Sequence, residues 1–411
     1  MKERLDYFAK VCAVALFFVF PFSLALGNVL MVLTALFWLL SGDYRRKWTV
    51  LRKYPVVWAA IFLYGLVLIG ATYSSASGTD IQGVVIKYSK LLIMVFLIAL
   101  LHGSAWRERC LDAFVGGVLV ALATVYLTVW WEVPWAVTKD KGWGGEHVAF
   151  GDRITQSIIM SFFVLIALTR AKATKSVGWR AWWCVISFLA SLSMIHLSTG
   201  RTGYLLLTVA LVVFSLSFDQ IHKRFASLGL LLGALVLMGL TSQTLQERVE
   251  KGIHEAKTYD SMEVTSIGGR INFWRYSWEL IEKRPWFGWG TGSYHDQWCV
   301  VTSNIPDWCT FGRWHPHNQF LHLWVENGIF SVVLFLILVC APLMRARHES
   351  KYPQLLWGFS IILLTDSLIN APLWNSREAH FFLFMMAFLV TEPVPSSSEN
   401  SSYDSTDAKA A

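Results

Sequence analysis

The sequence AWWCVISFLASLSMIHLSTGRTGYLLLTVALVVFSL, residues 181–216, contains two apolar runs that are separated by a very short polar turn. Each run approaches the ~20 residues that a helix needs to cross a ~30 Å hydrocarbon core. Backbone polar groups find no water inside a bilayer, and the runs lack the alternation of a strand, so we predict a membrane helix for each. The pair therefore predicts a helical membrane hairpin with Arg201 in its turn.

The composition of the whole chain agrees with this prediction. Of the 411 residues, 55% are hydrophobic and only 15% are charged, and 21 are tryptophans. This composition is typical of a polytopic membrane protein with aromatic residues at the lipid–water interface. The net charge of +7 comes mostly from short loops between apolar runs, so it indicates membrane topology rather than nucleic-acid binding. The first run lacks the small-residue cleavage site of a signal peptide.

Apolar runs of spanning length, or slightly shorter, recur throughout the chain. We predict about twelve of them, at residues 8–25, 27–42, 55–73, 84–101, 110–131, 155–170, 181–198, 203–218, 225–241, 319–343, 354–370 and 378–392. A basic loop follows the second, fourth, sixth, eighth and tenth runs, whereas several odd-numbered runs end in small or acidic residues. By the positive-inside rule, both termini are cytoplasmic. The expected fold class is thus an all-α polytopic membrane protein with a large, partly helical periplasmic loop.

This topology divides the chain into four parts. We expect transmembrane helices 1–9 in residues 1–241, a periplasmic loop domain in 242–317, transmembrane helices 10–12 in 318–392 and a disordered cytoplasmic tail in 393–411. Within the loop, TLQERVEKGIHEAK predicts an amphipathic helix. A second loop helix ends before Pro285 and carries apolar residues at helical spacing, namely Ile271, Trp274, Trp278 and Ile281.

Several arginines face the outer side in this topology, against the positive-inside trend. Arg201 lies between two glycines that allow close approach of a ligand, although an arginine that snorkels to lipid headgroups is the alternative. Arg270 follows two glycines at the predicted start of a helix, which suits a phosphate. Arg153 and Arg377 face the same side. Asp366 is an intramembrane carboxylate and hence a functional candidate, with Arg377 or Arg201 as its expected partner.

The sequence WHPHNQFLHLW, residues 314–324, places three histidines beside the tenth apolar run. Asn318 is a good N-cap for the helix that follows. The positive end of that helix favours a neutral His317, which can accept a proton as a general base. His322 lies inside the helix, four residues before Glu326, and is either a packing histidine or a partner of that carboxylate.

Metal binding is an alternative use of these histidines. His315 and His317 would supply two ligands, and the third would come from His295, Asp296 or His322. No second carboxylate–histidine cluster supports such a site, so we expect neither a metal nor another cofactor. The polar stretch also contains Cys299 and Cys309, which could form a disulfide if it faces an oxidising compartment.

Three segments occur in a fixed order along this multi-span chain: STGRTGYL, GGRINFWRYSWELIEKRPWFGWGTGSY and HPHNQFLHLWVENG. Together they resemble the O-antigen ligase and polymerase family, and most of all its ligases. The resemblance covers roughly residues 150–390 by motif and the whole chain by topology. It implies a GT-C-type fold and a metal-independent, inverting glycosyltransferase. The implied essential residues are Arg201 and Arg270 on the pyrophosphate and His317 as base, and Asp366 and Arg153 match family positions more loosely. His315, as the neighbour of His317, and Arg377, as the expected partner of Asp366, are supporting candidates from the residues alone.

The resemblance also implies the substrates and the compartment. O-antigen polysaccharide would pass from undecaprenyl pyrophosphate to the lipid A–core oligosaccharide, on the periplasmic face of the bacterial inner membrane. An O-antigen polymerase or a protein O-oligosaccharyltransferase would use the same donor, but one prominent outer loop favours the ligase. A transporter of lipid-linked glycans is an alternative from a different class, although no paired half-repeat is visible.

Overall fold

The structure is a computed structural model that describes residues 1–258, 265–305, 307–311, 314–346, 350 and 352–391. The predicted tail, residues 393–411, lies outside the described residues. Every regular element in the described ranges is an α-helix, which confirms the predicted all-α class. The helices are α1 (Lys2–Val19), α2 (Leu24–Leu40), α3 (Tyr44–Leu51), α4 (Pro55–Tyr73), α5 (Gly78–Tyr88), α6 (Lys90–Leu101), α7 (Trp106–Trp130), α8 (Arg153–Ala173), α9 (Val177–His196), α10 (Arg201–Leu216), α11 (Ile221–Thr241), α12 (Gln243–Lys257), α13 (Ser266–Lys283), α14 (Tyr294–Val301), α15 (Gln319–Asn327), α16 (Ile329–Ala346), α17 (Pro353–Ile369) and α18 (Ser376–Val390).

Six of the described helical segments are long and apolar enough to cross a membrane. They are α4, α5 with α6, α7, α8, α9 and α11; α2 with α3, bent by 117°, would make a seventh. Helices α10, α16 and α17 are apolar but shorter. A described helix overlaps each of the twelve predicted runs, but length and composition support six or seven spans, so the count of twelve stays a prediction.

Helix α8 lies at the centre of the bundle. It packs against α9, α10 and α17, and most of its side chains are buried. Because α9 returns the chain, α8 and α10 run in the same direction and begin at the same end of the bundle. A Cβ at Gly203 would lie 2.5 Å from Ser157 Cβ, so a glycine there permits the close contact between these two helices. This contact places Arg153 and Arg201 side by side.

The segment between α11 and α15 has a small core of its own. Phe273, Tyr294, Trp298 and Trp308 pack together in it, and Cys299 and Cys309 form a disulfide beside it. The disulfide that the sequence left open is therefore present. Helix α13 connects this core to the bundle, because it packs against α12, α14 and α15.

The start of α13 differs from the prediction. The helix begins at Ser266, four residues before Arg270, because Thr265 caps it and accepts a hydrogen bond from the Gly268 N–H (3.0 Å). The glycine pair therefore lies inside the first turn, and Arg270 lies in the second. A Cβ at Gly269 would lie 3.1 Å from the Phe311 ring. The glycine pair therefore permits close packing of the helix against Phe311 and does not mark the end of the preceding loop.

The apolar stripe predicted on α13 faces two different environments. Of its four residues only Ile281 is buried, whereas Ile271, Trp274 and Trp278 are exposed. The buried face instead carries Phe273, Ser277 and Leu280. The helical period was right, but the exposed aromatic residues do not belong to the core.

Candidate functional site

A cavity of about 520 Å³ lies where three helices begin. Arg153 is the first residue of α8, Arg201 is the first residue of α10, and Thr265 caps α13; all three line the cavity. The first N–H groups of a helix have no partner within the helix, and its N-terminus carries partial positive charge. The helix dipoles therefore favour an anion in this cavity, although Asp152 and Thr265 already accept hydrogen bonds from first-turn N–H groups of α8 and α13.

The side chains around the cavity strengthen this preference. Its lining contains one carboxylate and five permanent cations, the latter being Arg153, Arg201, Arg248, Lys251 and Arg270. Arg201 contacts the carboxylate, Glu255, at 3.3 Å, and Arg153 contacts Glu146 outside the lining at 2.9 Å. Three of the cations thus have no ion pair among the described residues, and the cavity keeps an excess of positive charge.

Arg270 is the most constrained of these cations. Its Nε is buried and makes no hydrogen bond within the described part of the chain. Burial lowers the pKa of Arg270, the nearby Arg201 guanidinium lowers it further, and Glu255 raises it. A buried guanidinium beside a second guanidinium is stabilised by a bound anion, and two such groups can grip phosphate oxygens together.

Helix α12 closes the cavity with one face. Arg248, Lys251 and Glu255 are three or four residues apart and so lie on the same side of the helix. Gly252 lies between them, and a Cβ there would come within 3.3 Å of Arg201 Cζ. The glycine therefore lets α12 approach the guanidinium closely.

His317 lies beside this charge cluster. Its ring stacks on Phe273 at 5.6 Å between centroids, with an angle of 22° between the planes. Phe273 is three residues after Arg270 on α13, so one helix positions both the guanidinium and the imidazole. The backbone of His317 has φ 49°, a conformation that few residues without glycine's freedom adopt. Its N–H donates to His315 Nδ1 (3.1 Å), which helps hold this conformation.

Burial favours the neutral form of both of these histidines. Burial lowers the pKa of His317 to about 4, and the Arg270 charge contributes to the shift. Burial also holds the pKa of His315 well below its usual range, with smaller contributions from His317, His322, Lys87 and Arg270. Burial and the Arg270 charge thus both favour the neutral form of His317 that the sequence predicts.

The predicted N-cap is also confirmed. Asn318 Oδ1 accepts a hydrogen bond from the Leu321 N–H at the start of α15 (3.0 Å). His322, one turn on, is fully buried and lies 3.7 Å from Glu326 Oε1, which is too long for a hydrogen bond. Its ring contacts Tyr294 and Trp374. His322 is therefore a packing residue close to a buried carboxylate.

The histidines considered as metal ligands do not form a group of three ligand atoms among the residues that the structure describes. Within the described ranges, the one group of three ligand atoms lying within 4.8 Å of one another comes from His295, Cys299 and Cys309. Its two cysteines are joined to each other, and a disulfide offers no thiolate to a metal. His315, His317 and His322 are therefore not part of a three-ligand group within these ranges.

Asp366 and Arg377 lie in a second polar cluster, away from the cavity lining. Asp366 is fully buried in α17, and within the described residues no ion pair joins it to Arg377 or Arg201, so the predicted pairing was wrong. Arg377 Nη1 donates to the Pro21 carbonyl (3.1 Å). Asn370, four residues after Asp366, donates to Glu378 (2.9 Å), so this cluster joins the ends of α17 and α18.

The contribution of α12 was not predicted from the sequence. Arg248 and Lys251 line the cavity, although the helix was predicted only as an amphipathic segment of the loop. The spacing of Arg248, Lys251 and Glu255 was the available signal, because it places two cations and a carboxylate on one face. Their approach to Arg201 depends on packing between distant segments.

Comparison with known proteins supports the resemblance seen in the motifs. Residues 186–336 match the family model described as O-antigen ligase. The match covers a little over a third of the chain and supports the family resemblance, and the matched range contains Arg201, Arg270 and His317. An uncharacterized protein of Haemophilus influenzae is 25% identical over 171 residues; the match covers 38% of this chain and 41% of the relative.

Proposed function

We propose that this membrane protein transfers O-antigen polysaccharide from undecaprenyl pyrophosphate to lipid A–core oligosaccharide. Its match to the O-antigen ligase family model over residues 186–336 supports the proposal. The observation that carries the proposal is the cationic cavity at three helix N-termini, with a neutral, buried histidine beside its most constrained arginine. The enzyme is then an inverting glycosyltransferase of the bacterial inner membrane with its active site on the periplasmic face.

The cavity suits the leaving group of this reaction. As the bond between the sugar C1 and the phosphate oxygen breaks, the electron pair stays on the pyrophosphate, whose negative charge increases. Arg201 and Arg270 are positioned to stabilise that charge, and Arg153, Arg248 and Lys251 add to the positive field. Guanidiniums in this arrangement serve the role that a divalent metal plays in many other glycosyltransferases.

His317 supplies the base. The acceptor is a sugar hydroxyl, which becomes a good nucleophile only as its proton is removed in the transition state. His317 takes that proton while the hydroxyl oxygen attacks C1 from the face opposite the pyrophosphate. A single displacement of this kind inverts the configuration at C1.

The strength of this base depends on the donor. A pKa of about 4 makes free His317 a weak base, and the positive charge of Arg270 contributes to that value. A pyrophosphate bound to Arg270 offsets this charge and so raises the pKa of His317 towards its ordinary value. The base therefore gains strength when the donor is in place, which links deprotonation of the acceptor to donor binding.

Deletion of the gene in a strain that makes O-antigen tests the proposal. We expect lipopolysaccharide to lose its long glycan ladder while lipid-linked polymer accumulates, with both restored by a plasmid copy of the gene. Loss of the lipid-linked polymer itself would instead identify a polymerase. An unchanged ladder would contradict the proposal.

A further inference from the structure

A second cavity, of about 670 Å³, lies next to the cationic one. Thr199, Arg248 and Lys251 line both cavities, so the two are neighbours across a shared wall. The rest of the second cavity has a different character. Its lining includes the large aromatic side chain of Trp143. It also includes hydrogen-bonding groups that are uncharged or acidic, among them Gln243, Thr244 and Glu247.

The loop that carries Trp143 is held in place by specific contacts. Three of its glycines have positive φ angles that other residues rarely adopt, namely 98° at Gly142, 94° at Gly144 and 76° at Gly145. The Gly145 N–H donates to Thr244 Oγ1 on α12 (3.1 Å). The indole of Trp143 packs 5.6 Å from the His196 ring, between centroids.

Trp143 is nevertheless largely open to the cavity. Its exposed fraction is 56%, similar to the 62% of Trp131 and 61% of Trp135 nearby in sequence. Trp131 and Trp135 line neither cavity, which fits a position at the lipid interface. Trp143 instead presents its ring to a space bordered by polar groups, and an interfacial position does not account for that.

We propose that this second cavity is a saccharide subsite for one of the two glycan substrates. A pyranose ring has flat C–H faces and a rim of hydroxyls, so it packs on an indole and hydrogen bonds at its edge. Trp143 provides the platform, and Gln243, Thr244 and Glu247 provide partners for hydroxyls. Arg248 and Lys251 additionally favour a sugar with an anionic substituent.

The subsite serves affinity rather than chemistry. Neither Arg201 nor Arg270 lines it, and His317 lies on the Arg270 side of the first cavity. A sugar on Trp143 therefore lies away from the reacting bond and holds its chain in place. The source of that sugar is either the donor glycan or the acceptor oligosaccharide, and this assignment rests on the proposed function.

Direct binding to the full-length chain in nanodiscs tests the subsite without relying on transfer. The probes are the donor glycan released from its lipid and the core oligosaccharide released from lipid A, each titrated by calorimetry. We expect Trp143→Ala to weaken the binding of one probe about tenfold or more. Trp143→Phe should retain most of the affinity, and the matched control Trp131→Ala should bind like the wild type.

The outcomes are distinct. Weaker binding of the donor glycan alone assigns the subsite to the donor, and weaker binding of the core oligosaccharide alone assigns it to the acceptor. Unchanged binding by Trp143→Ala, an equal loss in Trp131→Ala or no binding by the wild type would overturn the subsite. If Trp143→Ala fails to fold, the exposed pair Gln243→Ala and Glu247→Ala takes its place with the same expectation.

Titration of undecaprenyl pyrophosphate in the same nanodiscs keeps the two proposals separate. Its binding depends on the first cavity, so Trp143→Ala should leave it unchanged and Arg201→Ala should weaken it. If the wild type does not bind this probe, the proposed function fails while the oligosaccharide result still decides the subsite.

Discussion

Arg270 has two effects at the scale of single residues. It supplies a buried positive charge to the cavity, and the same charge lowers the pKa of His317. Because Phe273 on the same helix stacks on His317, the distance between guanidinium and imidazole is set by α13. In the proposed reaction, anion binding and proton acceptance are thus coupled through one side chain.

Replacing His317 by Ala should abolish most of the transfer activity. General bases contribute roughly 10²–10⁴-fold to rate, so a loss in this range is expected in a reconstituted assay with both lipid substrates. The binding of undecaprenyl pyrophosphate should change little, because the cations remain. His222→Ala, at an exposed position at the start of α11, is the control; near-normal transfer by His317→Ala would refute the assignment of the base.

The pH dependence of transfer should differ between the free and the donor-bound enzyme. His317 must be neutral to act, so activity is lost as the pH falls through its pKa. In kcat/KM for the donor, which reports the free enzyme, the acidic limb should lie near pH 4. In kcat, which reports the donor-bound enzyme, the acidic limb should lie at higher pH. The reason is that bound pyrophosphate offsets the positive charge of Arg270 and so raises the pKa of His317. Identical limbs in both profiles would contradict this coupling.

At the scale of elements, α12 completes the cavity that Arg201 and Arg270 line. Its cationic face lies against Arg201, with Gly252 at the closest approach. Its N-cap, Ser242, accepts from the Leu245 N–H and donates to the Ile195 carbonyl, so the helix is anchored to α9. The anchoring explains how a helix outside the apolar bundle positions charges beside it.

Removing the charges of this face should weaken donor binding. We expect the double variant Arg248→Gln and Lys251→Gln to raise the KM for the lipid-linked donor about tenfold, because charge-assisted contacts to phosphate are lost. The effect should shrink at high salt, which screens the wild-type contacts. Lys257, an exposed residue outside the cavity on the same helix, provides the matched control. Lys257→Gln should leave the KM unchanged, and an equal rise in KM would contradict a specific role of Arg248 and Lys251.

At the scale of the whole molecule, the bundle determines where the helices begin. Helices α8 and α10 run in the same direction through the centre and place their N-termini together. The capped start of α13 meets them from the separate core of the loop segment. Three partial positive charges thus converge although their helices are distant in sequence.

The predicted topology can be tested with fusions to alkaline phosphatase, which is active only in the periplasm. A fusion after Lys257 should be active, because α12 belongs to the predicted periplasmic loop. Fusions after Lys175 and after Thr391 should be inactive, since both positions lie on the cytoplasmic side by the positive-inside rule. Phosphatase activity of the fusion after Lys175, together with no activity of the fusion after Lys257, would indicate the opposite topology and contradict a periplasmic active site.

Local patterns predicted part of the candidate site. Arg201 between its glycines, Arg270 in its motif and His317 before the Asn318 cap were all identified from short stretches of sequence. The start of α13, the exposed face of that helix and the surroundings of Asp366 were not predicted correctly. Each of these features depends on contacts with residues far away in the chain or on which face of a helix is buried. The periodicity of the sequence indicates neither.

The sequence by itself determined the helical class, the apolar runs and the residues most suited to phosphate and proton chemistry, because these follow from local hydrophobicity and side-chain type. Only the tertiary structure decided that Arg153, Arg201 and Arg270 share a cavity, that α12 adds Arg248 and Lys251 to it, and that Arg270 and burial keep His317 neutral. These properties depend on distances and burial, which arise only when segments that are far apart in the chain pack together.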